Sequence, residues 1–170
     1  MLELAGIVTD SIVDGPGIRT CVFCQGCPHH CPGCHNPETW DFGCGTPMDE
    51  DAILAIVRSN PLCRGVTFSG GEPFAQAEGF ARLGRLLKDA GYEVASYSGY
   101  TFEQLLNGTP AQKALLQTID VLIDGPFLQE ERSLQLSFRG SRNQRILDVP
   151  KSLASAAAVE ITSGRWTGEY

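Results

Sequence analysis

The spacing of apolar positions changes several times along the chain, and each change marks an element. "RTCVFCQG" (19–26) reads as a strand that runs straight into a cysteine-rich loop. "DEDAILAIVRSN" (49–60) reads as a helix, with Asp49 as its N-cap and Ile53, Ile56 and Val57 sharing a face. "GVTFSGG" (65–71) is a short apolar run ended by a glycine pair, the pattern of a buried strand. In "AQAEGFARLGRLLKDAG" (75–91) the helical period returns: Phe80, Leu83, Leu86 and Leu87 fall on one side, and Gly91 stops the helix. "YEVASYSGY" (92–100) is a strand, Thr101 caps a short helix over 101–106, and Pro110 opens another over 110–118. "DVLIDGPF" (120–127) is a further strand and "NQRILDV" (143–149) a last one.

Strands that alternate with helices predict an α/β fold with a mainly parallel sheet. The conspicuous motifs, namely the cysteine loop, "SGGEP", "SGY" and "DGPF", each follow the C-terminal end of a strand. Parallel α/β folds place their sites there. A full eight-unit barrel takes about 250 residues, so this length leaves room for roughly five units. The expectation is an open, partial (β/α) barrel forming a single domain over 1–170.

Charge and composition narrow the function. With 13 Lys and Arg against 20 Asp and Glu, the net charge is −7, which argues against a nucleic-acid partner. No apolar run approaches the roughly 20 residues of a membrane-spanning helix, so no membrane association is expected. "MLELAGIVTDSIVDGPG" lacks a basic lead and carries early acids, so it is not expected to be a signal peptide, and a cytoplasmic location follows. Seven cysteines in a reducing compartment suggest metal or redox chemistry before disulfides.

Five of those cysteines lie in "CVFCQGCPHHCPGC" (21–34), where two spellings overlap. Cys21, Cys24, Cys27 and Cys31 make the C-x2-C-x2-C-x3-C-P run of bacterial ferredoxins, which would serve an electron carrier. Cys27, Cys31 and Cys34 make C-x3-C-x2-C, which leaves one iron of a [4Fe–4S] cube open to a small molecule. A zinc site completed by His29, His30, His35 or Cys44 is a third reading. Alternation weighs against the ferredoxin spelling, because Cys21 and Cys24 would face opposite sides of a strand. Spacing alone leaves the open cluster and zinc both standing.

Two further stretches carry chemistry. In "SGGEP", Gly70 and Gly71 admit close backbone approach and Glu72 offers a carboxylate suited to an ammonium, although glycine pairs after strands are often plain turns. In "SFRGSRNQR" (137–145), Arg139, Arg142 and Arg145 with Ser141, Asn143 and Gln144 form a donor patch. It would suit a carboxylate, a ribose or an acidic partner surface, or be a solvated loop.

With these residues side by side, "VDGPGIRTCVFCQGCPHHCPGCHNPETW" (13–40), "SGGEP" (69–73), "SYSGY" (96–100), "DGPF" (124–127) and "FRGSRNQR" (138–145) resemble the activating proteins of anaerobic (class III) ribonucleotide reductases. Those are small radical S-adenosylmethionine (SAM) enzymes, and the resemblance spans about 6–147. It implies a barrel of the radical SAM type, with Cys27, Cys31 and Cys34 as the catalytic cluster ligands and SAM chelating the fourth iron. Gly33 and His35 would lie against SAM. Gly70, Gly71 and Glu72 would receive its ammonium, and Ser96, Ser98 and Gly99 would face its ribose. The implied reaction is reductive cleavage of SAM at the [4Fe–4S] cluster, yielding a glycyl radical on the large reductase subunit, with a flavodoxin- or ferredoxin-type protein as electron donor. Longer glycyl-radical activases carry Asp-x-Lys where this chain has Asp124-Gly125-Pro126, a departure that fits the small branch. The alternatives are an activase of another glycyl radical enzyme, such as the formate-lyase type, a small radical SAM enzyme acting on a small molecule, or a non-enzymatic electron-transfer or zinc module. Cys21, Cys24, Cys44 and Cys63 receive no role.

Overall fold

The computed structural model describes residues 1–167, three short of the span expected to form one domain. Among them, strands β1 (Leu2–Ser11), β2 (Arg19–Cys24), β3 (Thr46–Met48), β4 (Gly65–Gly70), β5 (Glu93–Tyr97), β6 (Val121–Asp124) and β7 (Arg145–Asp148) form one sheet. Its order is β3-β1-β2-β4-β5-β6-β7. The four central strands β2, β4, β5 and β6 run parallel, while β1, β3 and β7 add antiparallel edges. The sheet does not close, so the architecture is the expected open α/β type with a parallel centre.

The flanks differ from the sequence reading. β1 was not anticipated: its pairing with β2 shifts register between Leu4 and Gly6 and again between Val8 and Ser11, and these irregularities blur the period of two. β7 returns antiparallel to β6, since the chain from 125 to 144 has no crossover helix of the kind a parallel return needs.

Helices α1 (Glu50–Arg58), α2 (Ala77–Asp89), α3 (Phe102–Leu106), α4 (Pro110–Leu116), α5 (Val149–Ser155) and α6 (Gly164–Thr167) complete the fold. Their starts are chemically specified. The Asp49 side chain accepts from the Asp51 amide, and Thr101 and Thr109 form reciprocal capping boxes with Gln104 and Gln112. The apolar stripe of α2, Phe80, Leu83 and Leu87, packs with Val22, Val66, Phe68, Val94 and Leu122 in the main core. Each such side chain, fully buried, contributes about 1.5–3 kcal/mol.

The other sheet face carries a smaller cluster of Ala95, Val121, Ile123, Ile146 and Trp166. Beside it Arg19, at the start of β2, is fully buried. Its guanidinium donates to Glu93 at 2.9 Å and to Thr67 Oγ1 at 3.0 Å, and lies 5.2 Å from the Trp166 ring centre. This knot plugs the end of the sheet where the parallel strands begin. The opposite end, where they finish, stays open.

Candidate active site at the carboxyl ends of the strands

Four loops meet at that open end: the cysteine loop after β2 and the segments that follow β4, β5 and β6. They enclose a cavity of about 410 Å³ whose wall includes Cys27, Cys31 and Cys34. The cysteine loop is held by backbone bonds to the turn at 37–40, from the Gly26 amide to Thr39 O at 2.7 Å and from the Cys27 amide to Trp40 O at 3.0 Å. Cys27 is 9% exposed, and Cys31 and Cys34 are half-buried. Burial pushes the Cys27 thiol pKa up, while the backbone amides of His29 and His30 hydrogen-bond to it and pull the other way. The Asn36 amide donates to Cys34 Sγ at 3.4 Å.

This donor set fits a cubane cluster better than zinc. Among the described residues no three His, Cys, Asp or Glu side chains converge on a point where one ion would sit. A cube takes its thiolates at separate corners, so Cys27, Cys31 and Cys34 on the wall of one cavity suit it. The candidates for a fourth zinc ligand are engaged elsewhere. His29 Nε2 lies 2.6 Å from Glu72, His30 stacks on Trp40 at 4.6 Å, and His35 lies 5.1 Å from the Phe127 ring. Cys44 is exposed. Beside the sulfurs, the cavity volume falls within the roughly 300–1,000 Å³ of small-molecule sites.

Glu72 ties the loops together. It is fully buried, and its carboxylate accepts from Phe74 N at 3.0 Å, Gly99 N at 2.7 Å, Ser98 Oγ at 3.0 Å and His29 at 2.6 Å. These partners come from three different loops. Their four donors fill the four lone-pair positions that a carboxylate offers.

The structure brings Cys27, Cys31, Cys34, His35, Gly70, Gly71, Ser98 and Gly99 onto the cavity wall and leaves Gly33, Glu72 and Ser96 off it. Gly33 packs against the Gln129 side chain. Ser96 is fully buried on the helix side of β5 and donates to Tyr97 O, so Tyr97, one residue on, is the β5 residue that reaches the cavity. Glu72 lies behind the wall. The glycine pair also has a role within the chain. A Cβ on Gly70 would stand 2.6 Å from the Cys24 amide, and one on Gly71 would collide with the Gly26 carbonyl. Small residues here let the β4 loop lie on the base of the cysteine loop, where the Gly71 amide donates to Cys24 O and the Glu72 amide to Gly26 O.

Sequence reasoning missed Asp14, Ser69, Tyr97 and Phe127 as wall residues. Asp14 sits in the quoted "VDGPG" stretch, and parity along β4 and β5 would have found Ser69 and Tyr97. The two disputed cysteines divide as alternation required. Cys24 packs into the helix-side core, while Cys21 lies on the other face under Asp14 and Ser69. Burial raises both thiols, Cys24 to about 12.

The arginine-rich segment uses most of its donors on itself. Asn143 donates to Pro126 O, Gln144 donates to Gly125 O and accepts from Gly140, and Ser141 donates to Asn143. Arg145 is clamped between Asp124 and Glu103, and Arg142 is exposed. Arg139 alone of the three lines the cavity, with Nη1 on Gln144 O and a buried Nε that has no partner.

Comparison with known proteins identifies relatives of this chain. A family model described as a 4Fe-4S single cluster domain matches residues 13–147. A protein of Vibrio cholerae named anaerobic ribonucleoside-triphosphate reductase-activating protein is 39% identical over 144 residues, covering 79% of this chain and 90% of its own. A Clostridium pasteurianum protein named pyruvate formate-lyase-activating enzyme is 37% identical over 118 residues, covering 64% of this chain and 50% of its own. Among solved structures, QueE from Escherichia coli overlaps with a TM-score of 0.41 at 22% identity, covering 59% of this chain and 50% of that one.

Proposed function

The chain belongs to the family of anaerobic ribonucleoside-triphosphate reductase-activating proteins, and we propose that it is a radical SAM activase that places a glycyl radical on the large subunit of an anaerobic ribonucleotide reductase. The observation that carries this reading is the meeting of Cys27, Cys31 and Cys34 with the β4 and β5 loops around one cavity. The three thiolates would hold three irons of a [4Fe–4S] cluster. With no fourth cysteine on that wall, one iron would be left for the amino and carboxylate groups of SAM. When bound, cluster and SAM together supply one-electron cleavage of the sulfonium.

The chain's own residues do the rest. The Asn36 amide, on Cys34 Sγ, and the amides of His29 and His30, beside the Cys27 thiol, would support these sulfurs as cluster ligands. The backbone at Gly70 and Gly71, with Ser98 and Gly99, would line the place of the methionine and ribose, and Tyr97 and Phe127 would shield it from water. Glu72 acts from behind by fixing the loops, and Arg139 Nε, like Trp40 Nε1 a buried donor without a partner among the described residues, would serve a carboxylate or a partner carbonyl. We read the chain as a single radical SAM domain at work in the cytoplasm, reduced by a flavodoxin- or ferredoxin-type protein. Among the described residues no helix is long and apolar enough to cross a membrane.

The test is anaerobic reconstitution followed by incubation with SAM, a reductant and the candidate reductase subunit. About four irons per chain, SAM cleavage and a glycyl doublet in electron paramagnetic resonance are expected. Ala at 27, 31 or 34 should abolish cleavage, whereas Cys21→Ala and Cys24→Ala should retain it. Loss of the cluster in the latter pair with retention in Cys34→Ala would restore the ferredoxin reading. A doublet on a formate-lyase-type partner and none on the reductase would reassign the substrate.

A further inference from the structure

The two histidines between Cys27 and Cys31, candidate zinc ligands in the sequence, take opposite and specific seats in the structure. The His29 ring is only 17% exposed. Its Nε2 meets Glu72 Oε1 at 2.6 Å, its ring lies edge-on to Tyr100 at 4.5 Å, and its third side is Gly99. A Cβ on Gly99 would come within 2.5 Å of His29 Cδ2, so the missing side chain at 99 makes room for this ring. His30 turns the other way, onto Trp40, and does so at φ +46, a left-handed conformation that L residues other than glycine rarely adopt.

We propose that His29 is a positioning residue: docked on Glu72, it anchors the cysteine loop to the ends of β4 and β5 and holds the backbone amides of residues 29 and 30 toward the Cys27 sulfur. The proposal rests on the reading of Cys27 as a cluster ligand. Residues 28–30 have no backbone hydrogen bond to the sheet; the base of the loop is tied to the end of β4 by the Glu72 amide on Gly26 O, and the Gly26 and Cys27 amides bind the 37–40 turn. The His29 ring is therefore the link between the middle of the loop and the rigid strand ends. A ring held on three sides fixes the direction of its own peptide unit, and the strained turn at His30 aims the next one. Both amides then lie beside the Cys27 thiol, where they counter the effect of burial on it.

The consequence is electronic as well as structural. Hydrogen bonds to a cluster's sulfurs stabilise the extra negative charge of the reduced state and so raise its reduction potential. His29 sets that potential without touching the cluster. Releasing the ring frees the loop, the amides drift, and the reduced form loses its advantage.

The experiment compares His29→Ala, His29→Gln, Gly99→Ala and His30→Asn after anaerobic reconstitution and without SAM. Iron content and midpoint potential are read by titration under electron paramagnetic resonance, and the melting temperature of each metal-free chain is recorded. Gln keeps an N–H donor near the position of Nε2, and Asn tolerates the left-handed turn at 30. His29→Ala and Gly99→Ala should lower the potential by a tenfold change in the reduced-to-oxidised ratio, which is about 59 mV for one electron. His29→Gln should recover at least half of that, and His30→Asn should stay near the parent. If His29→Ala does not fold, Gly99→Ala and His29→Gln carry the comparison. Full iron with an unchanged potential in His29→Ala and Gly99→Ala would overturn the proposal, as would a shift that Gln fails to recover. Retention of the whole cluster in Cys27→Ala would instead overturn the ligand assignment beneath it.

Discussion

Replacing Glu72 with Ala should unfold the metal-free protein at a markedly lower temperature, before any ligand is considered. The carboxylate is fully buried and accepts from Phe74 N, Gly99 N, Ser98 Oγ and His29. Removing it strands two backbone N–H groups and two side-chain donors. Each buried polar group left without a partner costs about 1–3 kcal/mol, and local relaxation prevents simple addition. Breaking a buried charged contact from one side typically costs about 3–5 kcal/mol, and that range is adopted here. At about 2–4 °C per kcal/mol for a chain of this size, the melting temperature should fall by roughly 6–20 °C. Glu72→Gln should fall between, since one oxygen remains but the new NH2 faces donors. The assay is thermal unfolding of the apo-protein by circular dichroism. SAM binding to whatever reconstituted variant survives should also weaken, because the three loops that line the cavity lose their shared anchor. The reasoning fails if the Ala variant melts within about 3 °C of the parent. Weakened SAM binding with unchanged melting would mean that the carboxylate acts on the ligand alone.

Three further outcomes follow from the same geometry. Arg139→Ala should lower glycyl-radical yield roughly ten- to hundredfold at unchanged iron content, whereas Arg142→Ala should not, and a normal yield in both variants would reduce the whole segment to a solvated loop. Arg145→Ala leaves the buried Asp124 carboxylate without its cation and should cost roughly 2–4 kcal/mol, below a fully buried pair because the guanidinium is part-exposed. Its hydrogen bond also holds the Glu103 pKa low, so that contribution is present above the ordinary glutamate range and lost as pH falls through the lowered value; acid unfolding curves of the variant should lack this component. Burial raises the pKa of Cys24 to about 12 and pushes up Cys21 and Tyr97, so their contribution is intact below the ordinary thiol value of about 8.5 and lost as pH climbs toward 12. In the folded apo-chain at neutral pH, alkylation should spare Cys21 and Cys24 and reach exposed Cys44, and early modification of Cys24 would contradict the placement.

The parallel centre of the fold was legible because its signals are local. A capped helix such as 50–58, the stripe Phe80-Leu83-Leu87, and apolar runs ended by Gly or Asp each specify themselves within a dozen residues. The edges were not. β1 carries two register irregularities, and β3 is three residues long with Pro47 inside it, so neither shows a readable period. At the site, the three cysteines could be chosen by spacing, resemblance and strand parity together. Glu72 could be picked out but not oriented, because a carboxylate suited to an ammonium is equally suited to four protein donors. Ser96 was assigned to the ribose by resemblance, where parity with Thr67 and Ala95 puts Tyr97 on the cavity side. Asp14 needed tertiary information, since it reaches the cavity from a loop at the far end of β2.

The glycines of the site show why motif reading and geometry diverge there. A Gly-Gly pair at a strand end suggests space kept for a ligand. At 70 and 71, however, a Cβ would meet the backbone of Cys24 and Gly26, and at 99 it would meet His29. In all three places the nearest obstruction is the chain itself. The motif "SGGE" is thus first a packing solution. It lets the β4 loop, the β5 loop and the cysteine loop approach within hydrogen-bond distance and share one buried carboxylate. Ordering loops when a ligand binds consumes binding energy, and loops already fixed on one another avoid that loss. Precise placement of reacting groups likewise depends on the contacts behind them. Residues that need never touch the ligand, Glu72 above all, therefore determine how well those on the cavity wall can.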